Sequence, residues 1–215
     1  MRICATRALL PLVGCLIAFA TSSARAADLP VDLHARFGQT SDAVAKALGD
    51  KARRLDPPLD YGVAQAKILA KGVPVGGVAM TALYQFDKDD RLVQVLLERR
   101  DAGAVPKSFE AVVKALGDAL GKPAEACEKL TGIPHLVERR WRTDGIAANL
   151  TFLDFTGQAM TLDPNRDATN PLVPSYVYEP TKPRSFPRRI VLRLFPASNT
   201  QLAGQAVCHQ PPLRR

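Results

Sequence analysis

The residues best suited to chemistry in this chain are three histidines, four cysteines and a group of arginines around the single tryptophan. A zinc site needs imidazoles or thiolates at short spacings, because one turn or strand must present two ligands together. His34, His135 and His209 form no H-x-x-x-H pair, and C-x-x-C is absent. No serine stands in G-x-S-x-G, and no glycine-rich loop ends in Lys-Ser or Lys-Thr, so the familiar seats of a nucleophile or a nucleotide phosphate are missing. Asp87, Asp89 and Asp90 lack the glycine and distal glutamate of a calcium loop and read as a polar hairpin tip. The expectation is therefore no catalytic residue, no cofactor and no metal: a chain that is not an enzyme. A hydrolase with an unrecognised site stays as a third reading, because active sites are assembled in space.

Two groups of side chains point to binding instead. Arg139, Arg140 and Arg142 flank Trp141, and Arg189 and Arg193 lie on the outward face of a later strand pattern. If those strands are neighbours, their guanidinium forks make a basic patch able to hold carboxylates or phosphates. The same pattern fits a solvated sheet face with Trp141 turned into the core. Tyr176 and Tyr178, with Phe186, stand among prolines 164, 171, 174, 180, 183 and 187. Aromatic side chains on a stiffened segment suit partner recognition at low entropic cost, or the segment simply covers the sheet.

The N-terminus narrows the compartment. Residues 1–26 combine Arg2 and Arg7, an apolar run from Ala8 to Ala20, and the ending Ala24-Arg25-Ala26, the three parts of a secretory signal. The run is short for a membrane span, which needs roughly 20 apolar residues, and none follows later. Leu12-Val13-Gly14-Cys15 has the form of a lipobox, so lipid anchoring at Cys15 is the alternative to a freely periplasmic or secreted chain. Loss of Arg2, Arg7 and Arg25 lowers the formal charge from +8 to +5, with no concentrated basic stripe of the kind nucleic-acid binders carry. Cys127 and Cys208 then remain, and an oxidising compartment favours a disulfide between them. Closing a loop of about 80 residues stabilises by about 4 kcal/mol in the chain-entropy account.

These residues need elements to position them. Residues 43–50 read Ala-Val-Ala-Lys-Ala-Leu-Gly-Asp and residues 111–118 Ala-Val-Val-Lys-Ala-Leu-Gly-Asp, an internal repeat. Val44, Ala47 and Leu48, and again Val112, Ala115 and Leu116, form helical apolar stripes, capped by Thr40 or Ser41 and by Ser108. Alternation predicts strands at Tyr61–Lys71, Val78–Phe86 and Arg91–Arg99, then at Leu136–Thr143, Ile146–Phe155 and Arg189–Phe195, with Asp144-Gly145 as a hairpin turn. The expected fold is α+β: two tandem helix-plus-antiparallel-strand units, with the helices packed on one side of an antiparallel sheet. A single exported domain spans 27–215, with unit one at 36–100 and unit two at 106–196. Unit two carries the proline-rich insertion 157–187, and an irregular tail follows at 197–215.

Phe37-Gly38 through Leu48-Gly49, Tyr84-Gln85-Phe86-Asp87 and Arg91-Leu92, echoed by Leu116-Gly117, Trp141 and Leu150-Thr151-Phe152, carry a resemblance. Over roughly residues 36–155 the chain resembles beta-lactamase inhibitor proteins and the small lipoprotein of the outer-membrane barrel-assembly machinery. That resemblance implies a protein-binding or envelope-assembly module without catalysis, and it transfers no binding residue. The expected function is a non-enzymatic periplasmic or cell-envelope module with a protein partner. The alternative is a binder of an anionic envelope ligand, a lipid head group or cell-wall polymer, through the five arginines; no nucleic acid and no transmembrane segment in the mature chain are expected. Intact mass of the exported protein checks the leader: a chain beginning at Ala27, two protons lighter until reduced, is the expected outcome, and one beginning at an acylated Cys15 refutes it.

Overall fold

The computed structural model describes residues 36–129, 135–156 and 187–204. Helix α1 is Ser41–Leu48. Thr40 caps it by accepting from the Ala43 amide, Asp42 and Lys46 complement the helix dipole at its two ends, and Gly49 ends it with φ 57°. Four strands follow: β1 (Arg53–Asp60), β2 (Gln65–Val75), β3 (Val78–Phe86) and β4 (Leu92–Arg99). Helix α2 is Pro106–Leu120, opened by a proline whose fixed φ suits the first turn and closed at Gly121 with φ 84°. The Ser108 cap expected from the sequence is not formed: Ser108 lies inside the helix, and Val105 precedes it without a side-chain cap. Four more strands, β5 (Glu125–Lys129), β6 (His135–Arg142), β7 (Ile146–Asp154) and β8 (Arg188–Pro196), lead to the one-turn helix α3 (Thr200–Ala203).

All eight strands belong to one antiparallel sheet in the order β1-β2-β3-β4-β8-β7-β6-β5. This corrects the expectation of two tandem helix-plus-strand units. The ladder from Val95↔Leu194 to Arg99↔Ile190 fuses β4 to β8, so the sheet runs on without an internal boundary. The two outermost strands were also missed. Apolar alternation reports which face of a strand is buried, and β1 and β5 are exposed along nearly their whole length, so they lack the signal. Pro57 and Pro58 further disguise β1, since proline is tolerated in sheets chiefly at edges.

One face of the sheet carries both long helices. Val44 of α1 and Phe109, Val112 and Leu116 of α2 share a single core with Ile68, Met80, Tyr84, Phe86, Val95, Leu97, Leu150, Ile190 and Leu192. Alternate residues face this core: Val78, Met80, Ala82, Tyr84 and Phe86 of β3, Ala148, Leu150 and Phe152 of β7, and Ile190, Leu192 and Leu194 of β8. Phe109 meets Phe152 with ring centroids 5.7 Å apart. Trp141 is buried on this side, and its Nε1 donates to the Gly121 carbonyl at 2.9 Å, satisfying an acceptor left over at the end of α2. The β2–β3 turn lies directly against α2: a Cβ on Gly76, which has φ 57°, would sit 2.5 Å from the Ala111 carbonyl oxygen.

The β3–β4 turn anchors α1. Asp90 holds the left-handed conformation, φ 57°, which aspartate tolerates better than most residues. Its carboxylate accepts from the Ser41 amide at 3.0 Å, the Ser41 hydroxyl at 2.9 Å and Lys67 Nζ at 2.7 Å. Partial burial pushes this carboxyl up, but the Lys67 and Ser41 donors outweigh it and hold Asp90 below the ordinary carboxylate range. Asp90→Ala is expected to lower stability by about 1–2 kcal/mol in urea unfolding, the scale of a lost helix cap. Because the folded value is depressed, the Asp90 charge contributes fully above its unfolded pKa of about 3.9 and is lost as pH falls toward the folded value. Asp90→Asn should therefore show a smaller stability loss than the native chain between about pH 5 and pH 2; an unchanged acid profile contradicts this.

Candidate functional site

Side chains directly opposite in register share a face, so the ladders place every candidate arginine. Val137 and Trp141 of β6 pack toward the helices, which sets Arg139 on the helix side and Arg140 and Arg142 on the other. Ile190, Leu192 and Leu194 of β8 likewise face the helices, leaving Arg189 and Arg193 on the opposite face. Strands β6 and β8 are not neighbours, because β7 lies between them. One transverse row crosses the whole face opposite α1 and α2, where α3 packs Leu202 against Ala147 and Phe195: Arg53, Leu69, Leu83, Leu96, Arg193, Asn149, Arg140 and Glu125. It is apolar over β2–β4 and polar over β8–β5.

The polar half is an interlocked network. Arg193 Nε and Nη2 both donate to Gln94 Oε1, at 3.0 and 2.8 Å. A guanidinium only donates, so Gln94 must turn its oxygen to Arg193 and its amide nitrogen to Gln85 Oε1, 2.6 Å away. By the same reasoning Arg140 Nε, donating to Asn149 Oδ1 at 3.4 Å, turns the Asn149 amide nitrogen away. Arg140 also reaches Glu125 at 2.6 Å and the Ala203 carbonyl of α3 at 3.2 Å. Arg142 donates to the Ala197 carbonyl at 2.7 Å, and Arg189 stacks 5.4 Å from the Phe155 ring centroid. Burial pushes Arg193 down to about 10, opposed by the Glu138 carboxylate on β6, so the guanidinium remains charged at neutral pH. Arg139, on the helix side, pairs with Glu128 at 2.7 Å. The five arginines thus do not form one solvated basic patch. Arg189 and Arg193 are buried, Arg139 lies across the sheet from the rest, and Arg139, Arg140, Arg142 and Arg193 hold acceptors among the described residues.

The apolar half is more open. Ala66, Leu83 and Leu96 form a small second cluster, with Leu55, Tyr61, Leu69 and Val191 only half-buried around it. Leu59, at the end of β1, is 46% exposed and is the one exposed large hydrophobic side chain among the described residues. Burial pushes the Tyr61 hydroxyl up to about 12, helped by Glu98 and opposed by Arg100, so it stays a neutral phenol. Glu98 and Arg100 pair beside it at 2.7 Å. This cluster was not singled out from the sequence. Leu83 and Leu96 are the odd-phase apolar residues of strands whose other face is the main core, and that two-sided apolarity was the available signal.

Cys127 falls on β5, half-buried and engaged rather than free, while Cys208 lies outside the described residues. Tyr176 and Tyr178 also lie outside them, as do His34 and His209. No group of three His, Cys, Asp or Glu side chains able to hold a metal occurs among the described residues. No described helix is long and apolar enough to cross a membrane. No family model matches the chain, nor does any curated protein or solved structure. In the polar half, Gln94→Leu removes the shared acceptor of two Arg193 donors and strands the Gln85 oxygen, for an expected loss of about 1–3 kcal/mol. A urea midpoint within error of the native value would show the network to be dispensable.

Proposed function

We propose that this chain is a non-enzymatic cell-envelope protein, exported to the periplasm or beyond, that binds a protein partner through the apolar half of the sheet face opposite α1 and α2. The observation that carries the reading is the half-buried cluster of Leu55, Tyr61, Leu69 and Val191 with Leu59 exposed beside it. Core positions of a one-layer-covered sheet are normally hidden, and a contiguous apolar area rimmed by polar residues is the common mark of an interaction surface. Tyr61 adds a rigid aromatic anchor with few rotatable bonds to immobilise. Tyr176 and Tyr178 would extend this surface, and a Cys127–Cys208 bridge would fix the C-terminal tail to β5. The resemblance carried by Phe37-Gly38 through Leu48-Gly49 and by Tyr84-Gln85-Phe86-Asp87 points to the same class of role.

Binding of an anionic envelope ligand is the second reading, and the arginine geometry favours it less. Arg139 and Arg140 already hold Glu128 and Glu125, and Arg142 holds a backbone carbonyl, so a ligand would have to displace internal partners. Site-specific photo-cross-linking in the envelope separates the readings. A probe at Leu59 or Leu69 is expected to capture one discrete protein that a probe at Lys114, on the exposed side of α2, does not. Leu69→Glu should abolish that adduct while leaving the circular-dichroism melt within a few degrees. Adducts from Lys114 alone, or retention of the adduct in Leu69→Glu, would remove the sheet face from the function. Loss of binding with added salt and not with Leu69→Glu would transfer the role to the arginines.

A further inference from the structure

The apolar half of the face opposite α1 and α2 is bordered at one end by spare positive charge. Arg53 stands opposite Leu69 in the β1–β2 ladder, so its side chain leaves the sheet on the same face as Leu69. Lys71 reaches that face through a bulge in β2. Ala70 and Val73 both pack toward the core beneath the helices, and the register with β3 shifts between them to absorb one extra residue. Gly72 supplies the left-handed conformation such a bulge uses, with φ 68°, and alternation from Leu69 and Ala70 turns Lys71 away from the helices. Lys51 precedes Arg53 by two residues, at the end of the short 3-10 turn Gly49–Lys51.

Lys51, Arg53 and Lys71 are exposed, and none makes an ion pair or side-chain hydrogen bond among the described residues. Asp42 is taken by Arg54 at 2.6 Å, and Glu98, on the same face as Lys71, is taken by Arg100. Asp50 and Asp56, the acids closest in sequence, pair with none of the three among the described residues. Farther along the face Arg140 and Arg142 already hold acceptors. Half-buried Leu55, Tyr61, Leu69 and Val191 therefore adjoin a group of cations still able to take a partner.

We infer that the protein partner is an acidic amphipathic segment, whose apolar side chains seat on Leu59 and Leu69 while its carboxylates reach Arg53, Lys71 and Lys51. The inference rests on the docking surface proposed above and adds what its occupant must carry. Unpaired cations beside an apolar area attract an acidic partner, repel a basic one and fix the orientation of docking. An anionic bilayer would meet the same charges, but lying on a membrane takes an apolar face that sinks roughly 5–10 Å into the headgroup boundary. Leu59 is the one exposed large hydrophobic side chain among the described residues, and its neighbours lie half-buried in the sheet.

Photo-cross-linking from a probe at Leu59 of the full exported chain tests it, with the linked peptide sequenced by mass spectrometry. The peptide is expected to carry clustered Asp or Glu beside apolar residues. Arg53→Glu/Lys71→Glu should lower the adduct yield about tenfold, and Arg53→Gln/Lys71→Gln by less. Lys107→Glu/Lys122→Glu makes the same change of net charge at α2 and should leave the yield unchanged. All four side chains are exposed, so each variant should melt with the native chain. A yield that survives Arg53→Glu/Lys71→Glu, or a linked peptide without acids, overturns the acidic partner and leaves the docking surface standing. An adduct between two copies of this chain also overturns it. So does cosedimentation with phosphatidylglycerol vesicles that Arg53→Glu/Lys71→Glu abolishes, which would give the face to a membrane. Absence of any adduct from Leu59 removes the docking surface and this inference together.

Discussion

The ladder between β4 and β8 is the constraint on which the rest of the molecule depends. It joins residues 95–99 to residues 190–194, across more than half of the span of the described chain. Val95, Leu97, Ile190, Leu192 and Leu194 are buried along it on the helix side, each worth about 1.5–3 kcal/mol relative to exposure. Closing a loop of that length costs only slightly more entropy than closing one half as long, so a short run of well-buried pairs suffices to hold it. Because the ladder exists, α1 and α2 rest on one surface and share one core, and the sheet is twice as wide as either run of consecutive strands.

That width determines the character of the other face. Two helices of 8 and 15 residues occupy one side, and the side without them divides at the central ladder. Over β2–β4 it is apolar, with Leu69, Leu83 and Leu96 in one row. Over β8–β5 it is polar, with Arg193, Asn149 and Arg140 continuing the same row. The polar half is rigid because its donors are spent on Gln94, Asn149, Glu125 and backbone carbonyls. The apolar half has no comparable set of fixed partners, which leaves it the more adaptable surface.

Much of this was legible in residue order. The stripes at Val44 and at Val112, Ala115 and Leu116, the alternation in Val78–Phe86 and Ile146–Asp154, and the Asp144-Gly145 turn each encode a local face or bend. What alternation does not encode is which strand sits beside which: nothing in Arg189–Phe195 announces that its neighbour is Leu92–Arg99. Edge strands were invisible for a related reason, since Arg53–Asp60 and Glu125–Lys129 bury almost nothing. The arginines misled because type and spacing reveal charge but not its partner, and Arg140 finds Glu125, fifteen residues earlier, only once β5 and β6 are paired. The apolar half of the face opposite α1 and α2 went unread because Leu83 and Leu96 looked like ordinary members of buried strands.

The β4–β8 ladder also has a consequence in time. A polypeptide emerges from its N-terminus, so β1 to β4 can pair as each hairpin closes, but β4's partner arrives only when residue 194 has emerged. Until then the edge of β4 away from β3 is a bare strand edge, the feature most prone to recruit other unfinished chains. The hairpins made of neighbouring strands can form early, whereas the pairing that completes the sheet is the most non-local one and forms last. The molecule is therefore most vulnerable to misassembly between the emergence of β4 and that of β8, with four strands in place and their growing edge still uncovered.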